Sequence, residues 1–116
     1  MSLLIKGGRV VDPMSGTDEI LDIFIRGEKI LKIGKGITFS AKKIIDATDS
    51  IVIPGLIDMH THLRDPGRED EETIRSGTLA AARGGFTTIC CMPNTSPVID
   101  DISLVRYISR KAEKEG

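Results

Sequence analysis

Both histidines of this 116-residue chain lie in one tripeptide, His60-Thr61-His62. Alternate residues of a β-strand point to the same side, so an extended segment would bring both imidazoles to one point. Two neutral imidazoles form half of a site for Zn²⁺ or a similar borderline ion. Asp58 lies two residues earlier on the same side and is a candidate acceptor that would orient one imidazole. The alternative is a structural pair of histidines, because an H-x-H pattern alone is a weak signal.

The elements around the histidines predict a parallel α/β arrangement. Residues 51–57 are apolar and predict a buried strand that ends at the histidines. A helix is predicted near residues 71–83, with an acidic first turn at 69–72 that complements the helix dipole. A second buried strand is predicted at residues 86–92. The order β-α-β-α, with strands apolar on both faces, is typical of a parallel sheet.

A last helix is predicted after Asp100 or Asp101, either of which could cap it. The apolar residues near helical spacing in this segment are Ile102, Val105, Ile108 and Ala112. Such a stripe predicts an amphipathic helix with one apolar side.

The N-terminal part of the chain is predicted to be all β. Short apolar runs alternate with turn residues, and the predicted strands cover residues 3–6, 9–11, 20–26, 29–33 and 43–47. Near residue 54 the predicted pattern changes from strands alone to alternating strands and helices. We therefore predict two domains, a β domain at residues 1–53 and a β-α domain at residues 54–116.

Composition excludes several classes of function. The net charge is −1 and the pI is about 6.1, which gives no attraction to nucleic acid or to an anionic membrane. No apolar run is long enough to span a bilayer. The two cysteines, Cys90 and Cys91, are adjacent, and neighbours in a strand point to opposite faces, which disfavours a disulfide between them. A reducing cytoplasm fits these features.

Two segments together resemble a known family. The first resembles the opening signature of the amidohydrolase superfamily and reads Val52-Ile53-Pro54-Gly55-Leu56-Ile57-Asp58-Met59-His60-Thr61-His62-Leu63-Arg64-Asp65-Pro66-Gly67. The second narrows the resemblance to dihydroorotase and comprises residues 81–88 with Cys91-Met92-Pro93-Asn94-Thr95. Hydantoinases and allantoinases share the H-x-H but usually lack the combination of Leu63-Arg64 after it with Met92-Pro93-Asn94-Thr95 after the second strand.

The resemblance implies a fold and an activity. The fold would be the first two β-α units of a (β/α)₈ TIM-type metallo-hydrolase barrel, preceded by part of a small β-sandwich. The family interconverts N-carbamoyl-L-aspartate and L-dihydroorotate in pyrimidine biosynthesis, with Zn²⁺, two ions in the full enzyme, at the barrel mouth. His60 and His62 resemble metal ligands, whereas Arg64 and Asn94 resemble the groups that hold the substrate carboxylate.

Plainer roles for the two substrate residues stay open. Arg64 could pair with Asp65 or with the acids at 69–72, and Asn94 could be a turn residue after Pro93. If the strand that carries His62 continues, Arg64 lies on the same side as that histidine.

The chain supplies only two β-α units, whereas such a barrel takes about 250 residues. It also has no third histidine, and we assign no catalytic residue within it. We therefore expect a fragment of a larger parent, inactive alone and with weak or no zinc binding. Its expected partners are the small-molecule substrate and the rest of the parent or another copy, with aspartate transcarbamoylase as a further candidate. The alternatives are a related cyclic-amide hydrolase of the hydantoinase or allantoinase type, and a non-catalytic module that binds a partner.

Overall fold

The computed structural model describes residues 1–115, which form two compact units. The first unit ends at Pro54 and the second begins at Gly55. The chain is α/β, and its N-terminal part is mostly β. No helix within residues 1–115 has the length and apolar character needed to cross a membrane.

The first unit is a mixed five-stranded sheet. Its strands are β1 (Ser2–Asp12), β2 (Thr17–Arg26), β3 (Lys29–Gly34), β4 (Lys43–Asp46) and β5 (Ile51–Val52). They are arranged in the order β3-β2-β1-β4, and β5 also pairs with β1. The pairs β1–β2 and β2–β3 are antiparallel, and β4 and β5 run parallel to β1.

Strand β1 is continuous, which corrects the predicted break at Gly7-Gly8. The chain passes these glycines by an irregularity in the β1–β2 register between Ile5 and Gly8. Gly7 has φ +69°, a conformation that a residue with a Cβ rarely adopts. The glycines therefore bend the strand locally instead of ending it.

The core of this unit is small and aliphatic around one aromatic pair. Leu4, Phe24 and Ile37 are buried together, and Phe39 meets Phe24 edge to face at a centroid distance of 5.1 Å. Asp22 is buried nearby, and its carboxylate accepts hydrogen bonds from the backbone amides of Gly7 at 2.9 Å and Ile37 at 2.8 Å. These bonds hold the pKa of Asp22 below its usual value, with the Gly7 amide as the largest cause.

The second unit contains β6 (Leu56–Thr61), α1 (Ile74–Arg83), β7 (Phe86–Cys91) and α2 (Ile102–Glu115). Strands β6 and β7 pair in parallel, which confirms the parallel sheet predicted from the β-α-β order. The prediction of a single strand over the apolar residues 51–57 is wrong, because these residues divide between β5 and β6, which belong to different sheets. Pro54 lies between the two strands, where its missing N–H suits a break in pairing.

The predicted burial of these two strands is wrong for the described residues. Ile57 and Met59 of β6 are 63% and 74% exposed. Within residues 1–115, β6 and β7 form a two-stranded sheet, so its apolar side chains have few neighbours to cover them.

Helix α1 begins at Ile74, three residues later than predicted. Thr73 is its N-cap and forms a capping box with Ser76, in which each side chain accepts a hydrogen bond from the other residue's backbone amide. This cap fixes the start of the helix. The acidic run at 69–72 therefore precedes the helix, and the prediction of an acidic first turn is wrong.

Asp101, and not Asp100, caps α2: its carboxylate accepts from the backbone amides of Ser103 and Leu104. The predicted packing stripe is only partly correct. Ile102 and Val105 are 64% and 47% exposed, whereas the half-buried side of the helix comprises Leu104, Ile108, Lys111, Ala112 and Glu115.

Candidate functional site

The candidate residues gather where two parallel strands end. His60 lies in β6, His62 follows the last residue of that strand, and Asn94 follows β7 by three residues. The pairing continues past the strands, because the Met92 amide donates to the Thr61 carbonyl at 2.8 Å. The carboxyl ends of neighbouring parallel strands are where α/β folds place binding residues.

The two imidazoles lie side by side. Their ring centroids are 5.1 Å apart and the ring planes are tilted by 58°. Two imidazoles on one tetrahedral zinc ion, with Zn–N bonds of about 2.0–2.1 Å, would place their centroids roughly 5 Å apart. The donor set therefore fits half of a zinc site. Among residues 1–115, no group of three or more His, Cys, Asp or Glu is placed to hold a metal.

Asn94 orients His62. The Asn94 Oδ1 atom lies 2.9 Å from His62 Nδ1, and with the amide oxygen in this place the contact is a hydrogen bond for the tautomer that carries its hydrogen on Nδ1. Nε2 then keeps its lone pair, which is the atom a metal would use. The sequence suggested Asn94 for substrate only. That Asn94 would reach the same end of the sheet was expected from its place after the neighbouring strand, but its contact with His62 was not.

Asp58 contacts the main chain rather than an imidazole within residues 1–115. Its carboxylate accepts from the backbone amide of His60 at 2.9 Å. The β6–β7 register shifts between Asp58 and Thr61, so the simple alternation of sides does not hold here. Asp58 and His62 nonetheless line the same hollow beside α1.

Arg64 does not continue the strand, so the condition for placing it on the same side as His62 is not met. Strand β6 ends at Thr61, and Arg64 has φ +60°, an uncommon conformation for a residue with a Cβ. Its Nε lies 3.5 Å from a carboxylate oxygen of Glu71, one of the acids at 69–72. Both side chains are about one-third exposed, so this pair is easily exchanged for another carboxylate.

A buried ion pair beside Arg64 was missed in the sequence. The Asp65 side chain is fully buried, and Lys111 Nζ of α2 lies 2.7 Å from Oδ2 and 2.9 Å from Oδ1. Asp65 also accepts from the Ile74 amide at the start of α1, at 3.3 Å. The hydrogen bond to Asp65 raises the pKa of Lys111. Asp65 and Lys111 are 46 residues apart, so their pairing could not be predicted from sequence spacing.

The loops after β6 and β7 also touch through their main chains. Ser96 donates its amide to the Pro66 carbonyl at 3.1 Å. Gly67, with φ +103°, passes so close to Ser96 that a Cβ there would collide with the Ser96 backbone. These contacts keep the loop of Arg64 next to the loop of Asn94.

Solved structures similar to this chain include hydantoinases and dihydropyrimidinases. The L-hydantoinase from Arthrobacter aurescens matches 95% of this chain and 24% of its own, with a TM-score of 0.84 and 27% identity. The dihydropyrimidinase from Brevibacillus agri matches 98% of this chain and 24% of its own, with a TM-score of 0.75 and 38% identity.

Curated relatives narrow the class. The dihydroorotase of Trichlorobacter lovleyi is 56% identical over 117 residues, and that of Acetivibrio thermocellus is 53% identical over 114 residues. These alignments cover 100% and 98% of this chain but only 28% and 27% of the relatives. A family model described as Dihydro-orotase-like matches residues 49–114, more than half of the chain. The chain belongs to the dihydroorotase-like family.

Proposed function

We propose that this chain is part of a dihydroorotase, which interconverts L-dihydroorotate and N-carbamoyl-L-aspartate in pyrimidine biosynthesis. The observation that carries the proposal is the meeting of His62 and Asn94 at the ends of two parallel strands. The identity of 56% to a named dihydroorotase supports the same activity.

In this proposal His60 and His62 hold a zinc ion through two of its ligand positions. The imidazole spacing supports this, and a complete site needs further ligands from other barrel strands. When bound, zinc supplies Lewis-acid polarisation of the amide carbonyl and a water of lowered pKa. The chain's own contribution is orientation, because the Asn94 oxygen fixes the His62 proton on Nδ1.

Arg64 and Asn94 bind the substrate carboxylate in this proposal. Without substrate, the partly exposed Glu71 holds the Arg64 guanidinium, and a bidentate substrate carboxylate would replace this weak pair. Asn94 uses its oxygen on His62 and keeps its amide N–H groups to donate to the same carboxylate. One side chain would thus tie the metal ligand to the substrate. Asp58 supports the site by fixing the backbone of His60.

The proposal also covers the rest of the fold and its setting. The segment from residue 54 would begin a (β/α)₈ barrel, and the β unit would be part of a small β-sandwich. We place the enzyme in the cytoplasm, where its two free cysteines would stay reduced. Aspartate transcarbamoylase stays a prediction as a partner.

The test is a chimera in which residues 1–116 replace the aligned segment of the Trichlorobacter lovleyi relative, which is 56% identical to them. We expect zinc-dependent turnover of L-dihydroorotate with kcat/KM within about tenfold of the parent's, a loss of no more than ~1.4 kcal/mol. An inactive but folded chimera would contradict the proposal.

A hydantoinase-type activity is the second candidate, since the TM-score of 0.84 belongs to a hydantoinase. The same chimera separates the two candidates when dihydroorotate and a 5-substituted hydantoin are compared. Arg64 and Asn94 predict a preference for the substrate that carries a carboxylate. A higher kcat/KM with the hydantoin would favour the second candidate.

A further inference from the structure

We propose that the buried Asp65–Lys111 pair positions Arg64 for the substrate carboxylate, so that Lys111 of α2 determines substrate affinity from outside the site. This inference rests on the proposed function. Lys111 does not touch the substrate in this proposal. It is a positioning residue, because it acts through Asp65 and the adjacent Arg64.

The first support is the conformation of Arg64. Its φ of +60° is disfavoured for a residue with a Cβ, and such a residue persists only when its surroundings fix it. Its side-chain partner Glu71 is more than one-third exposed and also binds Arg68, so the Arg64–Glu71 pair is too weak to fix the backbone. The backbone of Arg64 is held by the Arg68 amide, which donates to the Arg64 carbonyl at 2.9 Å, and by the anchoring of the next residue, Asp65.

The second support is the anchoring of the next residue. Asp65 is 1% exposed, and its carboxylate is held by Lys111 at 2.7 Å and by the Ile74 amide at 3.3 Å. These partners belong to two different helices, so the start of α1 and the last turns of α2 both fix the residue after Arg64. A buried carboxylate with both partners in place cannot shift without losing one of them.

The third support is the placement of Lys111. It lies on the half-buried side of α2, between Ile108 and Ala112, where an apolar residue would ordinarily pack. A buried ion pair is weak evidence for a gain in stability, since well-packed apolar residues often serve as well. The Asp65–Lys111 hydrogen bonds are directional and fix the loop in one orientation, which contacts between apolar side chains would not do.

The experiment uses the chimera with Lys111→Met, and with the exposed Lys114→Met on the same helix as a matched control. We expect Lys111→Met to raise KM for L-dihydroorotate by about tenfold, with kcat within about threefold and zinc content unchanged. Lys111→Arg, which keeps the charge, should restore KM to within about threefold of the wild type.

Because Lys111→Met leaves an unpaired buried carboxylate and could unfold the chimera, the double variant Asp65→Asn with Lys111→Met is the second test. Removing both charges avoids that cost, so the double variant should fold and still show the raised KM. A wild-type KM in a folded Lys111→Met or double variant would overturn the inference, as would a loss confined to zinc content or kcat.

Failure of the proposed function is recognised separately, because the unsubstituted chimera would then be inactive. The Arg68 amide donates to the Arg64 carbonyl at 2.9 Å. Hydrogen exchange of this amide therefore tests whether Lys111 holds the backbone of Arg64, even in an inactive chimera. Lys111→Met should speed this exchange about tenfold and Lys114→Met should not, whereas equal rates would overturn the inference.

Discussion

The two units of this chain bury one carboxylate each among residues 1–115, and they satisfy it differently. Asp22 in the β unit is held by two backbone amides, those of Gly7 and Ile37. Asp65 in the β-α unit is held by one amide and by the side chain of Lys111. Both are nearly inaccessible, at 6% and 1% exposure.

The difference separates a structural carboxylate from one beside the site. Asp22 joins a glycine irregularity to a loop of its own sheet, with no candidate residue next to it in sequence. Asp65 directly follows Arg64 and links it to two helices. Substitution of Asp22 should therefore change stability alone, whereas substitution around Asp65 should also change substrate binding.

The largest effect on stability is expected from Asp22→Ala. It leaves the buried Ile37 amide and the partly buried Gly7 amide without an acceptor, at about 1–3 kcal/mol each, so the free energy of unfolding of the β unit should fall by about 3 kcal/mol. Denaturant unfolding of the chimera measures this, with the exposed Met14→Ala as the control. At low denaturant kcat/KM should be unchanged, and a raised KM would remove the contrast between the two carboxylates.

Arg64→Lys should cost about 1.5–3 kcal/mol in kcat/KM, because an ammonium cannot provide the planar fork for a carboxylate. The steady-state kinetics of the chimera with L-dihydroorotate measure this loss, and its metal content should remain at the wild-type level. A variant that loses zinc but keeps a normal KM would make Arg64 structural.

Thr73→Ala sharpens the comparison within the β-α unit. It removes the capping box with Ser76 and should lower the stability of α1 by about 1 kcal/mol. Since Asp65 still holds the Ile74 amide, KM should stay within about twofold of the wild type. If this variant raised KM as much as Lys111→Met, general loosening of the unit would explain both.

The pH dependence of stability gives a further contrast. The folded-state pKa of Asp22 is lowered, so its contribution is present above the unfolded pKa of about 3.9 and is lost as the pH falls through the folded pKa. Denaturant unfolding across this acid range should show a shallower pH slope for Asp22→Asn than for the wild type. Equal slopes would show that Asp22 does not contribute.

The sequence predicted the order and type of most elements, because apolar runs and turn residues record local periodicity. It misplaced the start of α1, where the Thr73 cap outweighed the acids before it. It also joined residues 51–57, because periodicity cannot show that β5 and β6 pair in different sheets.

In the candidate site, too, local features could be predicted from the sequence and long-range contacts could not. The H-x-H pair could be identified from spacing, since residues two apart in sequence are neighbours in space. The contacts His62–Asn94 and Asp65–Lys111 span 32 and 46 residues, and only the fold brings them together. The left-handed conformation of Arg64 likewise has no signal in the residue itself.

Whether the end of β6 supplies metal ligands is decided by the zinc content and turnover of the chimera with His60→Ala or His62→Ala. Zinc per chain should fall below the wild-type stoichiometry in each variant. The kcat/KM for L-dihydroorotate should fall by at least about a thousandfold, since metal activation supplies several kcal/mol. Either variant with wild-type zinc content and wild-type turnover would contradict the account.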